Sequence, residues 1–209
     1  MPSWGIHMAV AGDMYKILQP SDKNSFLFGN ILPDLLCGYV VTDISKALKY
    51  HVTHYSEYIP GNTKPAFPHY EIFLEKYRDS MDSMALGYYI HLMTDFHWNT
   101  YATKRLKGLD PTKYSQGENL TLNRMKQLDF NRFDKLLAGT YDVPVYTDKL
   151  YKDAARLLPV TPDDCRKGVG KLNEISSAHT PPTRKSYIFS DDELYKLCRN
   201  TAEDLLKFT

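Results

Sequence analysis

The stretch from Asp82 to Leu106 constrains the fold of this 209-residue chain more than any other. It contains no proline. One face of the predicted helix is formed by residues that follow one another at helical spacing, namely Met84, Tyr88, His91, Asp95, Trp98 and Ala102. Asp82 or Ser83 can cap its N-terminus. The stretch therefore predicts one long helix around which the rest of the chain is organised.

Two ionisable side chains stand in the middle of this predicted helix. His91 and Asp95 are four residues apart and therefore share a face, and apolar residues flank both. A buried carboxylate needs a partner, because leaving even a merely polar group unpaired costs on the order of 2 to 7 kcal/mol. The partner is either His91 itself, in a structural hydrogen bond, or a metal ion. The helix alone leaves both interpretations open.

The remaining sequence is also helical in pattern, and no segment shows clean strand alternation. Pro33 predicts an irregular bend at Asp34, and Gly29 is expected to allow close helix contact. Asp129 and Asp134 are expected on a solvated face. Helices are predicted for residues 4–18, 43–50, about 119–138 and 147–158, others begin near Ser21, Pro68, Thr161 and Ser190, and residues 59–69 and 180–185 are predicted loops.

The predicted fold class is all-α. We expect a single domain, 1–209, built as a bundle of six to eight helices around the central one. Residues 1–106 form the half that carries the candidate metal ligands, and residues 107–209 form a helical C-terminal half.

Composition excludes several classes of protein. Lys plus Arg number 26 against 25 for Asp plus Glu, so no basic field favours nucleic acid. The three cysteines are widely spaced without a CxxC pair, which argues against a disulfide framework and a thiolate zinc site. No secretory signal pattern and no apolar run of about 18 residues are found, so we expect a cytoplasmic protein without a transmembrane segment. Oligomeric state is left open.

Further candidate ligands lie N-terminal to the central helix. His7, Asp34 and either His51 or His54 stand in apolar or turn contexts, and their segments can converge on His91 and Asp95. Imidazole and carboxylate ligands without thiolate suit Zn²⁺, although the same set accepts Mn²⁺, Fe²⁺ or Ni²⁺. A single histidine in such a context is more often a packed or surface residue, so only the whole set of residues indicates a metal site.

The motifs WGIH, FLFGNILPDLL, THY and LGYYIHLMTD, in this order, resemble the zinc-dependent phospholipase C family, which is related in fold to the S1/P1 nucleases. The likeness covers the first half of the chain. It implies an all-α fold that holds a cluster of zinc ions and activates water for attack on a phosphodiester. By this resemblance the metal ligands are His7, Asp34, His54, His91 and Asp95.

The resemblance also assigns roles. Asp34 would be a catalytic base or would orient water, and His54 is preferred over His51 because Thr-His-aromatic followed by a loop is similar to shorter family members. We expect one or two ions, with Asp34, His54, His91 and Asp95 at one and with Asp95 bridging toward His7 at the other. The implied activity is a phospholipase C-like hydrolase or phosphodiesterase whose substrate is a small phosphoester or a phospholipid head group.

Two departures from the family pattern weaken this expectation. Trp4 follows three residues instead of standing at a mature N-terminus, so the family's N-terminal ligand is expected to be missing, and Tyr101 replaces a family histidine. His97 lies two residues after Asp95 and points to a different face. Trp4, His51 and His97 are therefore secondary candidates. The alternative function is a catalytically reduced helical scaffold that binds a partner and keeps a partial metal site.

Overall fold

The computed structural model of this protein describes residues 2–57, 67–178 and 184–207. Within these ranges every regular element is a helix, and none of the described residues forms a strand, which confirms the all-α prediction. Ten α-helices are present among them, more than the six to eight predicted, because two helices of a single turn lie between the longer ones. The α-helices are α1 Trp4–Leu18, α2 Lys23–Gly29, α3 Leu32–Leu35, α4 Tyr50–Thr53, α5 Tyr70–Tyr77, α6 Ser83–Leu106, α7 Leu122–Leu137, α8 Asp148–Ala155, α9 Pro162–Ser177 and α10 Asp191–Leu205.

The longest helix, α6, has the predicted bounds. Asp82 is its N-cap and accepts a hydrogen bond of 2.9 Å from the Ala85 N–H. Every residue from Gly87 to Asp95 is buried, since α1, α2, α3, α5 and α10 pack against this helix. Near its C-terminal end, Trp98 donates a 3.1 Å hydrogen bond to Thr201 of α10. The helix is therefore the centre of the fold.

Helices α2 and α6 pack backbone against backbone through two facing glycines. A Cβ atom added to Gly87 would overlap the carbonyl oxygen of Phe26, and one added to Gly29 would overlap that of Met84. A Cβ added to either glycine would also lie only 3.1 Å from the Cα of the other, so the absence of side chains is what lets the two backbones approach this closely. The expected close contact at Gly29 is confirmed, and it brings the C-terminal end of α2 beside His91.

Two acids of α7 are not solvated, so this prediction was wrong. Asp129 is completely buried and accepts hydrogen bonds of 2.7 to 3.0 Å from three successive backbone N–H groups at 187–189. Asp134 is half-buried at the start of α1, where it accepts a 2.7 Å bond from Ser3 and bonds from the Gly5 and Ile6 N–H groups. Burial raises the pKa of Asp134. Both acids join separate elements through helix or loop N–H groups, which a helical pattern alone does not predict.

The structure corrects two local predictions before α4. Pro33 does not make an irregular bend, because it occupies the first turn of α3, where a proline lacks only an N–H that has no helical partner anyway. Residues 43–49 are not helical, and regular structure resumes at Tyr50. The Asp164 carboxylate holds this segment instead, accepting bonds of 2.7 and 2.5 Å from the backbone and side chain of Ser45.

Helix caps explain most of the remaining bounds. Thr121 and Thr147 cap α7 and α8, and Thr161 with Asp164 forms a complete capping box for α9. Ser190 caps α10 by accepting from the Glu193 N–H. Predicted loop residues 59–66 and 180–183 lie outside the described ranges. No helix among the described residues is both long enough and apolar enough to cross a lipid bilayer.

Candidate metal centre

Five side chains predicted as ligands meet in the interior. We call His7 of α1, Asp34 of α3, His54 directly after α4, and His91 and Asp95 of α6 the histidine–aspartate cluster. The histidines and Asp95 are completely buried, and Asp34 is 4% exposed. Residues separated by more than eighty positions thus share one small volume, as the proposed convergence of segments required.

The atoms of the histidine–aspartate cluster lie at ligand-like separations. His54 Nε2 is 3.1 Å from His91 Nε2 and 3.4 Å from both Asp34 Oδ1 and Asp95 Oδ2. His7 Nε2 lies 3.4 Å from Asp95 Oδ1, and its ring stacks on His91 with centroids 3.9 Å apart. A metal ion bound between these nitrogen and oxygen atoms would contact side chains from several helices at once.

Neighbouring groups orient two of the imidazoles. His91 Nδ1 donates to the Asn30 carbonyl at 2.7 Å, and His54 Nδ1 lies 2.8 Å from Thr53 Oγ1. The Thr53 hydroxyl donates to the Tyr50 carbonyl at 3.3 Å, so it accepts from His54 Nδ1. In its neutral form each ring therefore carries its proton on Nδ1 and can direct an Nε2 lone pair to a metal ion, which is the arrangement of metal-binding histidines.

Tyr50 closes one side of the cluster. Its hydroxyl donates a 3.0 Å hydrogen bond to Asp95 Oδ2, and its ring stacks on His54 with centroids 3.8 Å apart. Burial and the negative charge of Asp95 raise the pKa of Tyr50 far above its ordinary value of 10.0. The phenol therefore remains a hydrogen-bond donor to Asp95 at neutral pH.

Burial and mutual contacts shift the pKa values within the cluster in opposite directions. Burial, reinforced by the neighbouring His7, lowers the pKa of His91 to about 3. Burial also disfavours protonated His54, but its contacts with Asp34, Cys37 and Asp95 outweigh burial and raise its pKa to about 9. Burial favours the neutral forms of Asp34 and Asp95, but the surrounding histidines lower both pKa values. The interior thus holds two carboxylates at neutral pH.

Several buried polar atoms here have no hydrogen-bond partner within the described chain. They are both ring nitrogens of His7, one oxygen each of Asp34 and Asp95, the side-chain amide of Asn30 and the Thr94 hydroxyl. The 3.4 Å contact between His7 and Asp95 has the separation of an ion pair but not the geometry of a hydrogen bond. Buried polar groups are normally paired, so this concentration of unpaired atoms indicates a missing partner.

Cys37 also belongs to this neighbourhood, although its wide spacing from the other two cysteines argued against a thiolate ligand. The ligand atoms of Asp34, Cys37 and His54 lie within 4.8 Å of one another, as do those of His7, Asp34 and His91 and those of His54, His91 and Asp95. The three groups overlap, because Asp34, His54 and His91 each belong to two of them. The spacing of Asp34 and Cys37, three residues apart, is the signal that could have suggested their proximity.

The secondary candidates lie elsewhere. His51 is half-buried on α4 and does not belong to any of these groups among the described residues. His97 Nε2 lies 3.8 Å from Asp204 on the outer side of α6. Tyr101 donates a 2.7 Å bond to Glu193. Trp4 is buried, and its indole N–H has no hydrogen-bond partner among the described residues.

A cleft of about 530 Å³ reaches the cluster at Asp34. One cation, Lys171 of α9, is among the described residues that line it, and it is paired at 2.9 Å with the exposed Glu174. The other lining residues are Pro2, Ser3, Trp4, Tyr39, Val40, Gln127, Asn131, Asp134 and Ile175.

Comparison with known proteins adds no relative: no family model, no curated protein and no solved structure matches this chain significantly. The likeness to the zinc-dependent phospholipase C family stays a prediction from the motifs. What the fold and site define is an all-α protein with buried histidine, aspartate and cysteine groups that could hold a metal ion.

Proposed function

We propose that this protein is a metal-dependent phosphoesterase that uses a zinc-activated water, as the resemblance to zinc-dependent phospholipase C implies. The observation that supports it best is the histidine–aspartate cluster, in which five buried side chains converge with unpaired acceptor atoms. A structural hydrogen bond between His91 and Asp95 alone would not account for these unpaired atoms. The five side chains of the cluster would instead form a ligand set drawn from separate helices.

The chemistry of the cluster fits a divalent cation. Two buried carboxylates need positive charge beside them, because burial of a charge is tolerated only when it is paired, and a divalent cation would supply that charge in place of the proton on His54. Imidazole nitrogens and carboxylate oxygens are the zinc ligands of non-thiolate sites. Asp34, His54, His91 and Asp95 would hold one ion, and His7 with Asp95 would contribute to a second.

The residues around the cleft would then have separate tasks. Zn²⁺ supplies, when bound, Lewis acidity and a water of lowered pKa. Asp34, where the cleft meets the cluster, orients the attacking water and accepts its proton. Tyr50 holds Asp95 in place. Lys171 attracts an anionic phosphoester into the cleft.

The cleft and the charge balance favour a small substrate. A volume of about 530 Å³ lies within the range of small-molecule sites and accommodates a small phosphoester or a phospholipid head group. The near-zero net charge of the chain gives no support for nucleic acid. A cytoplasmic location, which we also propose, favours the soluble phosphoester.

The test combines metal content with hydrolysis. Protein purified without chelator is analysed by elemental mass spectrometry and then assayed with bis(p-nitrophenyl) phosphate and with p-nitrophenyl phosphorylcholine. We expect one or two equivalents of zinc and hydrolysis of at least one substrate, both lost in His91→Ala. His97→Ala, which alters a histidine of the same helix outside the cluster, should retain both. Lys171→Ala should raise KM without changing zinc content.

The outcomes separate the two candidate functions. Zinc binding without hydrolysis of either substrate would favour the reduced scaffold that keeps a partial metal site. Failure to bind zinc, even after incubation with excess metal, would reject the phosphoesterase proposal and leave the cluster as a polar core.

A further inference from the structure

We propose that Cys37 is a thiolate ligand of this metal centre and makes it selective for borderline-soft ions such as Zn²⁺ and Co²⁺ over Mn²⁺ and Mg²⁺. This inference rests on the proposed function, since it adds a ligand to the same site. It departs from the sequence analysis, in which the spacing of the three cysteines argued against a thiolate site.

The geometry places the thiol among established ligand types. Cys37 is 8% exposed, and its sulfur lies within 4.8 Å of ligand atoms of Asp34 and His54. Asp34 Oδ1 is buried and has no hydrogen-bond partner in the described chain. The thiol therefore lies within 4.8 Å of a carboxylate oxygen and an imidazole nitrogen, and sulfur, oxygen and nitrogen are all donors that zinc accepts.

The hydrogen bonds around Cys37 accommodate both protonation states. As a thiol it donates to the Pro33 carbonyl at 3.4 Å, and its sulfur lies 3.3 Å from Thr53 Oγ1. When a metal ion displaces the thiol proton to solvent, the Thr53 hydroxyl can rotate and donate to the sulfur. It still accepts from His54 Nδ1 at 2.8 Å, so the neutral His54 ring presents its Nε2 lone pair to the metal ion. One proton is released for each metal–sulfur bond formed.

The other two cysteines differ from Cys37 in their surroundings. Cys165 and Cys198 are both buried, and burial raises the pKa of each thiol to about 12. Neither belongs to a group of potential metal ligands among the described residues. They are matched controls, because replacing either with serine removes a buried sulfur without touching the site.

The ligand can be identified first without any variant. Zinc-edge X-ray absorption of the zinc-loaded protein should contain a sulfur scatterer at about 2.3 Å in addition to nitrogen and oxygen at about 2.0 to 2.1 Å. The cobalt-loaded protein should have a near-ultraviolet thiolate-to-cobalt charge-transfer band. Cys37→Ser should abolish the band, whereas Cys165→Ser and Cys198→Ser should retain it.

Metal selectivity provides the second measurement. Cys37→Ser should weaken Zn²⁺ binding by about tenfold or more and leave Mn²⁺ binding unchanged, because only the softer ion gains from a thiolate. Circular dichroism checks that the variant is folded, and the absorption experiment on the unaltered chain does not depend on that result.

Two negative outcomes have different meanings. If zinc binds with nitrogen and oxygen ligands only, Cys37 is not a ligand and this inference fails, while the phosphoesterase proposal stands. If the unaltered protein does not bind zinc or cobalt, the proposed function fails and the thiolate ligand fails with it.

Discussion

The two halves of the chain bury their acids in opposite ways. In the C-terminal half, Asp129 accepts from three backbone N–H groups, and Asp164 accepts from the backbone and side chains of Ser45 and Thr161. In the N-terminal half, Asp34 and Asp95 face ionisable side chains, and each keeps one oxygen without a hydrogen bond in the described chain. The carboxylates of Asp129 and Asp164 are thus saturated with hydrogen bonds, whereas those of Asp34 and Asp95 are not.

The difference separates acids that hold the fold together from acids that are available to a ligand. Fixed backbone donors satisfy a carboxylate permanently and tie elements together. Histidines, which can gain or lose protons, satisfy the carboxylates of Asp34 and Asp95 only in part. The carboxylate lone pairs that remain need a partner from outside the chain. Each prediction below tests this contrast.

The largest effect is expected from Asp129→Ala. It leaves three buried N–H groups at 187–189 without an acceptor, and each such group costs about 1 to 3 kcal/mol. We expect the free energy of unfolding to fall by about 3 to 5 kcal/mol in urea denaturation. Lys135→Ala, at an exposed position of the same helix, should change it by less than about 0.5 kcal/mol. Equal losses in both variants would mean that the carboxylate does not hold this segment.

Gly87→Ala should be the next most damaging change, because the added methyl group overlaps the Phe26 carbonyl and forces α2 away from α6. We expect a loss of about 1 to 3 kcal/mol in stability. Zinc affinity should fall as well, since Asn30 at the end of α2 orients His91.

The matched control is Gly170→Ala in α9, where an added Cβ meets nothing within 4 Å. Alanine should there increase stability by up to about 1 kcal/mol. A tolerated Gly87→Ala with unchanged zinc binding would contradict the close packing of the two helices.

The pH dependence of stability in Asp164→Asn tests the acids that are saturated with hydrogen bonds. Hydrogen bonds from Ser45 and Thr161 outweigh burial and lower the pKa of Asp164 below its ordinary value of 3.8. Its ionised form therefore contributes stability that is complete above the unfolded pKa and is lost as pH falls through the folded pKa. We expect the variant to be less stable by about 1 to 2 kcal/mol at pH 7. The difference should shrink below about pH 4. A pH-independent difference would contradict this role.

The smallest effect is expected from Asp95→Asn in the presence of chelator. Removing this charge should lower the free energy of unfolding by less than about 1 kcal/mol, because burial opposes the stabilisation that the surrounding histidines give the carboxylate, and the amide can still accept from Tyr50. Adding zinc at 100 times its Kd should stabilise the unaltered chain by about 2.7 kcal/mol and the variant by far less. A loss comparable to that of Asp129→Ala would instead make Asp95 a structural acid.

Local patterns determined the parts of the protein that depend on neighbouring residues. Helix periodicity and capping residues gave the bounds of α6 and the shared face of His91 and Asp95. They failed at residues 43–49, where a distant carboxylate replaces helical hydrogen bonds. The motifs also pointed to His54, and the structure brings that residue to the cluster.

Only the tertiary structure decided the contacts between segments distant in sequence. It buried Asp129 against 187–189, brought Cys37 beside His54, and put Lys171 on the wall of the cleft. None of these contacts has a local signature, because each depends on how closely whole helices pack. The sequence by itself determined which side chains could bind a metal, and the packing of α6 against its neighbours decided which of them meet.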